Sequence, residues 1–226
     1  MSSYFQGTLD VMLTIEFYFE WISNKRVKLN ILDVGCGFGK YGSLIKHVSL
    51  ERKLCPYIIG IDVWLPYLRA LNGINAYDAL LSCEAGNLPF SNRIFDLVIA
   101  TEIIEHMEKR NGILFLKSLE KLAKKGGLII VSTPQGKQEQ ETSEGNTYQI
   151  HKSVWMKYEL ECLGFSVFTS PLVIRTPFGN RFLPKRCFPE KGSDNLKNML
   201  LFSLSAFSFL VPSFSGKLVA YKLVNE

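Results

Sequence analysis

The sequence predicts an α/β fold: a doubly wound, mostly parallel seven-stranded sheet, with a leading helix and a partly apolar insertion before the last strand. Three observations predict it. Short apolar runs alternate with helix-like segments from Leu29 onward. Those runs are apolar on both faces, as strands covered on both sides are. The first run feeds a glycine turn that opens a helix.

The elements follow in order. Residues 8–24 read as a leading helix, with Leu9, Met12, Leu13, Phe17 and Trp21 at helical spacing and Thr8 and Asp10 in its first turn. Residues 29–34 are the first strand, and 40–50 the helix after the glycine turn. Further strands are expected at 57–62, 79–83, 95–101, 128–132, 165–169 and 218–224. Helices are expected at 65–72, from the end of the fourth strand to about 124, and at 153–162. Gly126-Gly127 and Gly164 read as helix stops.

Residues 175–216 break the rhythm and read as an insertion in a single domain covering 1–226. Arg175, Arg181, Lys185, Arg186 and Lys191 make its first half basic, and 198–216 carries no charge. Serines dilute that run and Pro212 interrupts it, which disfavours a membrane span. A buried or lid helix is the first expectation, and a helix in a membrane interface the second.

Composition excludes several classes. Hydrophobic residues at 47% and charged residues at 21% exclude a disordered or fibrous chain. Five cysteines with no CxxC pair exclude a disulfide framework and a zinc knuckle and suit reduced thiols. Residues 1–10 lack the blocks of a signal peptide, so a cytoplasmic location is expected, with membrane association through 198–216 as an addition. The net charge of +5 permits an acidic partner. The lysines and arginines between 109 and 125 lack interleaved aromatics and read as a solvated helix face, so nucleic acid is not an expected partner.

The chemistry concentrates at Asp33-Val34-Gly35-Cys36-Gly37-Phe38-Gly39. Glycines let a backbone pass close under a ligand, and a helix N-terminus offers unpaired N–H groups. Gly37, Gly39 and Gly42 satisfy the dinucleotide pattern G-x-G-x-x-G, but that match begins after the turn has already started at Gly35. The pattern Asp33-x-Gly35-x-Gly37-x-Gly39 is in register with the strand end. A carboxylate there repels a pyrophosphate and suits a ligand carrying an ammonium or sulfonium. Asp62 closes the second strand, where a carboxylate accepts from both ribose hydroxyls.

With Gly60-Ile61-Asp62, the stretch from Glu84 through Leu88-Pro89-Phe90, and Phe95-Asp96-Leu97-Val98, the chain resembles the class I S-adenosylmethionine-dependent methyltransferases over about 29–169 and 218–224. The resemblance implies S-adenosylmethionine as cofactor, with Gly35, Cys36, Gly37 and Gly39 behind its methionine moiety and Asp62 on the ribose. Glu84, where the family more often has Asp, would meet the adenine amino group, and Leu88 would line that pocket. Asp33, Val63 and Ala85 join the cofactor-binding set, and Thr101 lies where donor meets acceptor. The bland readings are small packing for Cys36, a helix cap for Asp62, a solvated acid for Glu84, core packing for His106 and a helix start for His151.

Thr101-Glu102-Ile103-Ile104-Glu105-His106-Met107 is similar to an E-x-x-E-H stretch in a subset of that family. In its small-RNA 2′-O-methyltransferases similar acids and histidines bind magnesium, and some ubiquinone-pathway O-methyltransferases look similar here. A helix would face Glu102, Glu105 and His106 together. The adjacent histidine pair of the small-RNA enzymes is missing, His151 being the one later histidine, so no metal is assigned. Glu102, His106 and His151 are the catalytic candidates, as bases toward an acceptor hydroxyl. The expected acceptor is a small, hydrophobic molecule, with O-methylation favoured. An RNA methyltransferase, a non-catalytic cofactor-binding protein and a dehydrogenase are the rivals.

Overall fold

A computed structural model describes residues 3–23, 28–136, 145–169, 175–176, 179–180 and 217–225. Helix α1 (Ser3–Ser23) precedes β1 (Lys28–Val34), α2 (Lys40–Glu51), β2 (Cys55–Asp62), α3 (Leu65–Ala70) and β3 (Ala79–Ser82). Then come β4 (Phe95–Thr101), α4 (Lys109–Leu122), β5 (Ala123–Pro134), α5 (Lys157–Cys162), β6 (Ser166–Thr169) and β7 (Lys217–Leu223). The seven strands form one sheet in the order β3-β2-β1-β4-β5-β7-β6. Neighbours pair in parallel except β7, which runs antiparallel to both β5 and β6.

Strand alternation divides the core in two. Ile31, Leu97, Ile99, Leu128 and Ile130 point to the side covered by Val11, Ile15 and Phe19 of α1 and Ile45 of α2. Leu32, Val98, Ala100, Ile129 and Val131 point to the side covered by Phe115 and Leu119 of α4 and Leu160 of α5. This is why the strands read as apolar on both faces. The strand order reverses between β1 and β4, so a crevice opens at their C-terminal ends, where ligands bind in such sheets.

Four expectations need correction. Helix α1 begins at Ser3, so Thr8 and Asp10 lie inside it, and the Thr14 hydroxyl donates back to the Asp10 carbonyl at 2.8 Å. Its buried face carries Val11, Ile15, Phe19 and Ile22, which turns Trp21 outward at 48% exposure. Helix α4 stops at Leu122, and Gly126-Gly127 lies inside β5, in the irregular stretch where the β4 register shifts between Phe95 and Leu97. Helix α5 starts at Lys157 rather than 153, because residues 151–156 are tied to the turn after β4 instead of coiling.

Within the expected insertion, Arg175–Thr176 pairs antiparallel with Gly179–Asn180. The apolar run 198–216 lies outside the described residues. Among the described residues no helix is long and apolar enough to cross a membrane.

Candidate active site

The turn after β1 is built by glycines in left-handed geometry. Gly37 and Gly39 sit at φ +51 and +80, a region other residues enter at a cost. A Cβ on Gly37 would meet nothing within 4 Å, so its face of the turn is open to the crevice. The N–H groups of Gly35 and Cys36 donate to the Ile61 carbonyl, which seats the turn against β2.

Asp62 ends β2 beside this turn. Its Oδ2 accepts from the Gly37 N–H at 2.9 Å and its Oδ1 from the Trp64 N–H at 2.8 Å. Burial pushes its carboxyl up, and those backbone donors oppose the shift. The Val63 N–H also bonds this carboxylate, so about one of its four acceptor sites remains for a ligand hydroxyl.

The crevice has a volume of about 1480 Å³. Small-ligand sites span roughly 300–1,000 Å³, so there is room here for a cofactor and an acceptor together. Gly35, Cys36, Gly37, Asp62, Val63, Glu84, Ala85 and Thr101 all line it, as do Glu102, His106 and His151. Asp33, Gly39 and Leu88 are not among the lining residues. Asp33 is buried behind the turn, where its Oδ2 accepts the Tyr77 hydroxyl at 2.6 Å, and burial pushes its carboxyl up to about 7. Gly39 packs toward Leu71 and Tyr77, and Leu88 packs against the core on the α4 side. Burial pushes the Cys36 thiol up and keeps it protonated, which removes a nucleophile reading.

The E-x-x-E-H stretch is not one helical turn. Glu102 stands at φ +56 before a short 3-10 turn at Ile104–His106. Its carboxylate accepts the Ser132 hydroxyl at 2.8 Å and pairs with Lys217 at 2.9 Å. Glu105 is 2% exposed, and among the described residues its oxygens make no close hydrogen bond, with the equally buried Thr133 hydroxyl beside them. Burial, and then the neighbouring Glu102 charge, hold its carboxyl well above the usual range.

His151 reaches this turn through a long-range staple. The N–H groups of Lys152 and Ser153 donate to the Glu105 carbonyl, and the buried Trp155 indole donates to the Ile104 carbonyl at 3.1 Å. The His106 and His151 rings then lie 5.0 Å apart. Ligand atoms of Glu105, His106 and His151 all fall within 4.8 Å of one another, a cluster that could close on one metal ion with a small adjustment. Burial lowers the His106 pKa and keeps its ring neutral at pH 7, the form that ligates. A buried carboxylate beside two imidazoles fits a divalent cation. The sequence argument left the metal unassigned for want of an adjacent histidine pair. The partner histidine comes from another loop.

Sequence reasoning also missed Lys217, Tyr77 and the aromatic rim. Lys217 stands where β7 begins and carries no motif. Phe38 packs tilted against Tyr67 with ring centroids 4.5 Å apart, and the Tyr67 hydroxyl accepts from Gln149 across the crevice at 2.6 Å.

Residues 32–131 match the family model of a methyltransferase domain. That match spans under half of the chain, and what it shows is a likeness to a methyltransferase domain. The chain is 32% identical over 122 residues to a ubiquinone biosynthesis O-methyltransferase of Rickettsia conorii, covering 54% of this chain and 40% of that one. It is 30% identical over 108 residues to an ajmaline N-methyltransferase of Rauvolfia serpentina, covering 45% and 35%. The matches thus span less than half the length of these two relatives. The plantazolicin methyltransferase BpumL, solved with S-adenosylhomocysteine and a desmethyl substrate analogue, shares the fold at a TM-score of 0.61. That likeness covers 100% of this chain and 87% of BpumL at 17% identity.

Proposed function

We propose that this methyltransferase domain moves a methyl group from S-adenosylmethionine to a hydroxyl of a small, apolar acceptor, with a divalent cation held by Glu105, His106 and His151. The convergence of those three ligand atoms, with the Glu105 oxygens making no close hydrogen bond among the described residues, carries this reading. When bound, S-adenosylmethionine supplies an already activated methyl group, so the protein mainly orients and dries the pocket. The open glycine turn and the spare acceptor site of Asp62 support its place beside β1 and β2.

A hard cation favours oxygen acceptors and lowers the pKa of a bound hydroxyl. Glu105, His106 and His151 would hold it. Glu102, locked between Lys217 and Ser132, positions the turn rather than moving protons. Phe38, Trp64, Tyr67 and Tyr148 line the mouth and offer apolar faces to the acceptor. The O-methyltransferase among the relatives supports an oxygen acceptor, and the N-methyltransferase supplies the rival.

The test is methyl transfer from labelled S-adenosylmethionine to hydroquinones, with and without manganese, for the wild type and His151→Ala. The expected result is an O-methyl product that needs the metal and falls at least 100-fold in the variant. Transfer at full rate in chelator, or transfer to amines alone, rules the reading out.

A further inference from the structure

We infer that Tyr77 is a positioning residue that sets the glycine turn for the cofactor by holding both ends of that turn on one hydroxyl. The inference rests on the turn being the cofactor cradle.

The Tyr77 hydroxyl donates its one proton to Asp33 Oδ2 at 2.6 Å, so it accepts from the Gly42 N–H, 3.3 Å away. Asp33 closes the strand side of the turn and Gly42 lies in the first turn of α2. That first turn needs such a partner. Gly39, at the N-cap, has no side chain to offer, and the leading N–H groups of a helix have no intrahelical acceptor. Tyr77 supplies the cap from a different part of the chain.

The ring is itself fixed. Asp78 beside it exchanges two hydrogen bonds with Ile58 of β2: its N–H donates to the Ile58 carbonyl at 2.8 Å, and its Oδ2 accepts the Ile58 N–H at 2.7 Å. Three glycines make room for the ring. A Cβ would stand 2.4 Å from it at Gly42, 2.9 Å at Gly60 and 3.2 Å at Gly39. The relay from Gly42 through Tyr77 to Asp33 polarises along its length in a site shielded from water.

The charged and titratable groups facing Asp33 are Asp62 from β2, Lys40 from α2, Cys36 of the turn and Tyr77 itself. Burial and Asp62 raise the Asp33 carboxyl, while Tyr77 and Lys40 oppose this. Removing the hydroxyl therefore moves the Asp33 titration further up.

The test is calorimetric binding of S-adenosylhomocysteine from pH 5 to 9 by the wild type, Tyr77→Phe and Asp33→Asn, with the exposed Tyr158→Phe as control. The expected wild-type affinity rises with pH through a midpoint near 7. Tyr77→Phe binds about tenfold more weakly at pH 7 with its midpoint moved up. Asp33→Asn, which still accepts the hydroxyl, loses the midpoint near 7 and keeps only the response of the other groups at the turn, Asp62 among them. Tyr158→Phe matches the wild type. A Tyr77→Phe protein with unchanged affinity overturns the inference, and so does weaker binding with an unmoved midpoint, which leaves Tyr77 to packing alone. An Asp33→Asn protein that keeps the same midpoint near 7 also overturns it. No binding by the wild type at any pH defeats the cofactor reading itself.

Discussion

A Cβ added to Gly42 would stand 2.4 Å from the Tyr77 ring and 2.8 Å from the Ala76 carbonyl oxygen. Two effects therefore oppose each other in Gly42→Ala. Helix propensity favours alanine by about 1 kcal/mol. Overpacking against a ring and a fixed backbone oxygen costs about 1–3 kcal/mol. The obstruction includes backbone that cannot swing away, so the net effect is destabilising. Urea unfolding of the variant is expected to show a lower midpoint with an unchanged slope. A midpoint at or above that of the wild type means the site relaxes freely. The turn itself was legible in the sequence because its signal is local: a strand, glycines in register and a helix start. Tyr77 was not legible, because nothing in Asn75-Ala76-Tyr77-Asp78 says which elements its hydroxyl will meet. The φ of Glu102 was hidden for the same reason, being fixed by Ser132 and Lys217 from β5 and β7.

At the scale of elements, the loop bearing His151 is held on the turn after β4 by Trp155. Its ring is buried at 1% exposure beneath Gly112 of α4, with Lys109 Nζ 3.9 Å from a ring centroid. Trp155→Ala removes a large buried ring and is expected to cost about 3–5 kcal/mol. Trp155→Phe keeps most of the packing and loses the indole bond to Ile104, worth about 1 kcal/mol. If this staple places His151, the Phe variant stays folded but binds manganese more weakly, as electron paramagnetic resonance would show. Wild-type manganese affinity in a folded Trp155→Phe protein would detach the loop from the site. Strand positions came through from sequence because each apolar run carries its own period. The ends of α4 and α5 did not. The Gly126-Gly127 pair reads locally as a helix stop, yet α4 ends at Leu122 and β5 begins at Ala123, where it pairs with Phe95. Residues 153–156 have helical spacing, but Ser153 and Trp155 bond to Ile104 instead. In both places a tertiary partner outweighs a weak local preference.

Over the whole molecule, three buried carboxyls, Asp33, Asp62 and Glu105, are all held above their ordinary values, and burial is the first cause in each. A carboxyl raised on folding binds its proton more tightly in the native state than in the unfolded chain. Stability then falls as pH rises between the two values, the reverse of a salt-bridged acid. For Asp33 that window runs from 3.8 to about 7. Across it, stability declines by up to about 1.4 kcal/mol per pH unit, an order-of-magnitude figure. His106 acts with the opposite sign, since burial lowers its pKa and its contribution grows as pH rises toward the ordinary histidine value, but it is one group against three carboxyls. The ligand-free protein is therefore expected to be more stable near pH 5 than near pH 7.5 in urea unfolding, and Asp33→Asn is expected to flatten the decline. A stability that climbs from pH 5 to 7.5 in the wild type would mean that the carboxyls behind the turn are solvated. Adding S-adenosylhomocysteine and manganese should reduce the decline, because each stabilises the ionised carboxyls it meets while binding only the folded chain. The crevice that weakens the empty fold is thus the same one that its ligands would hold together.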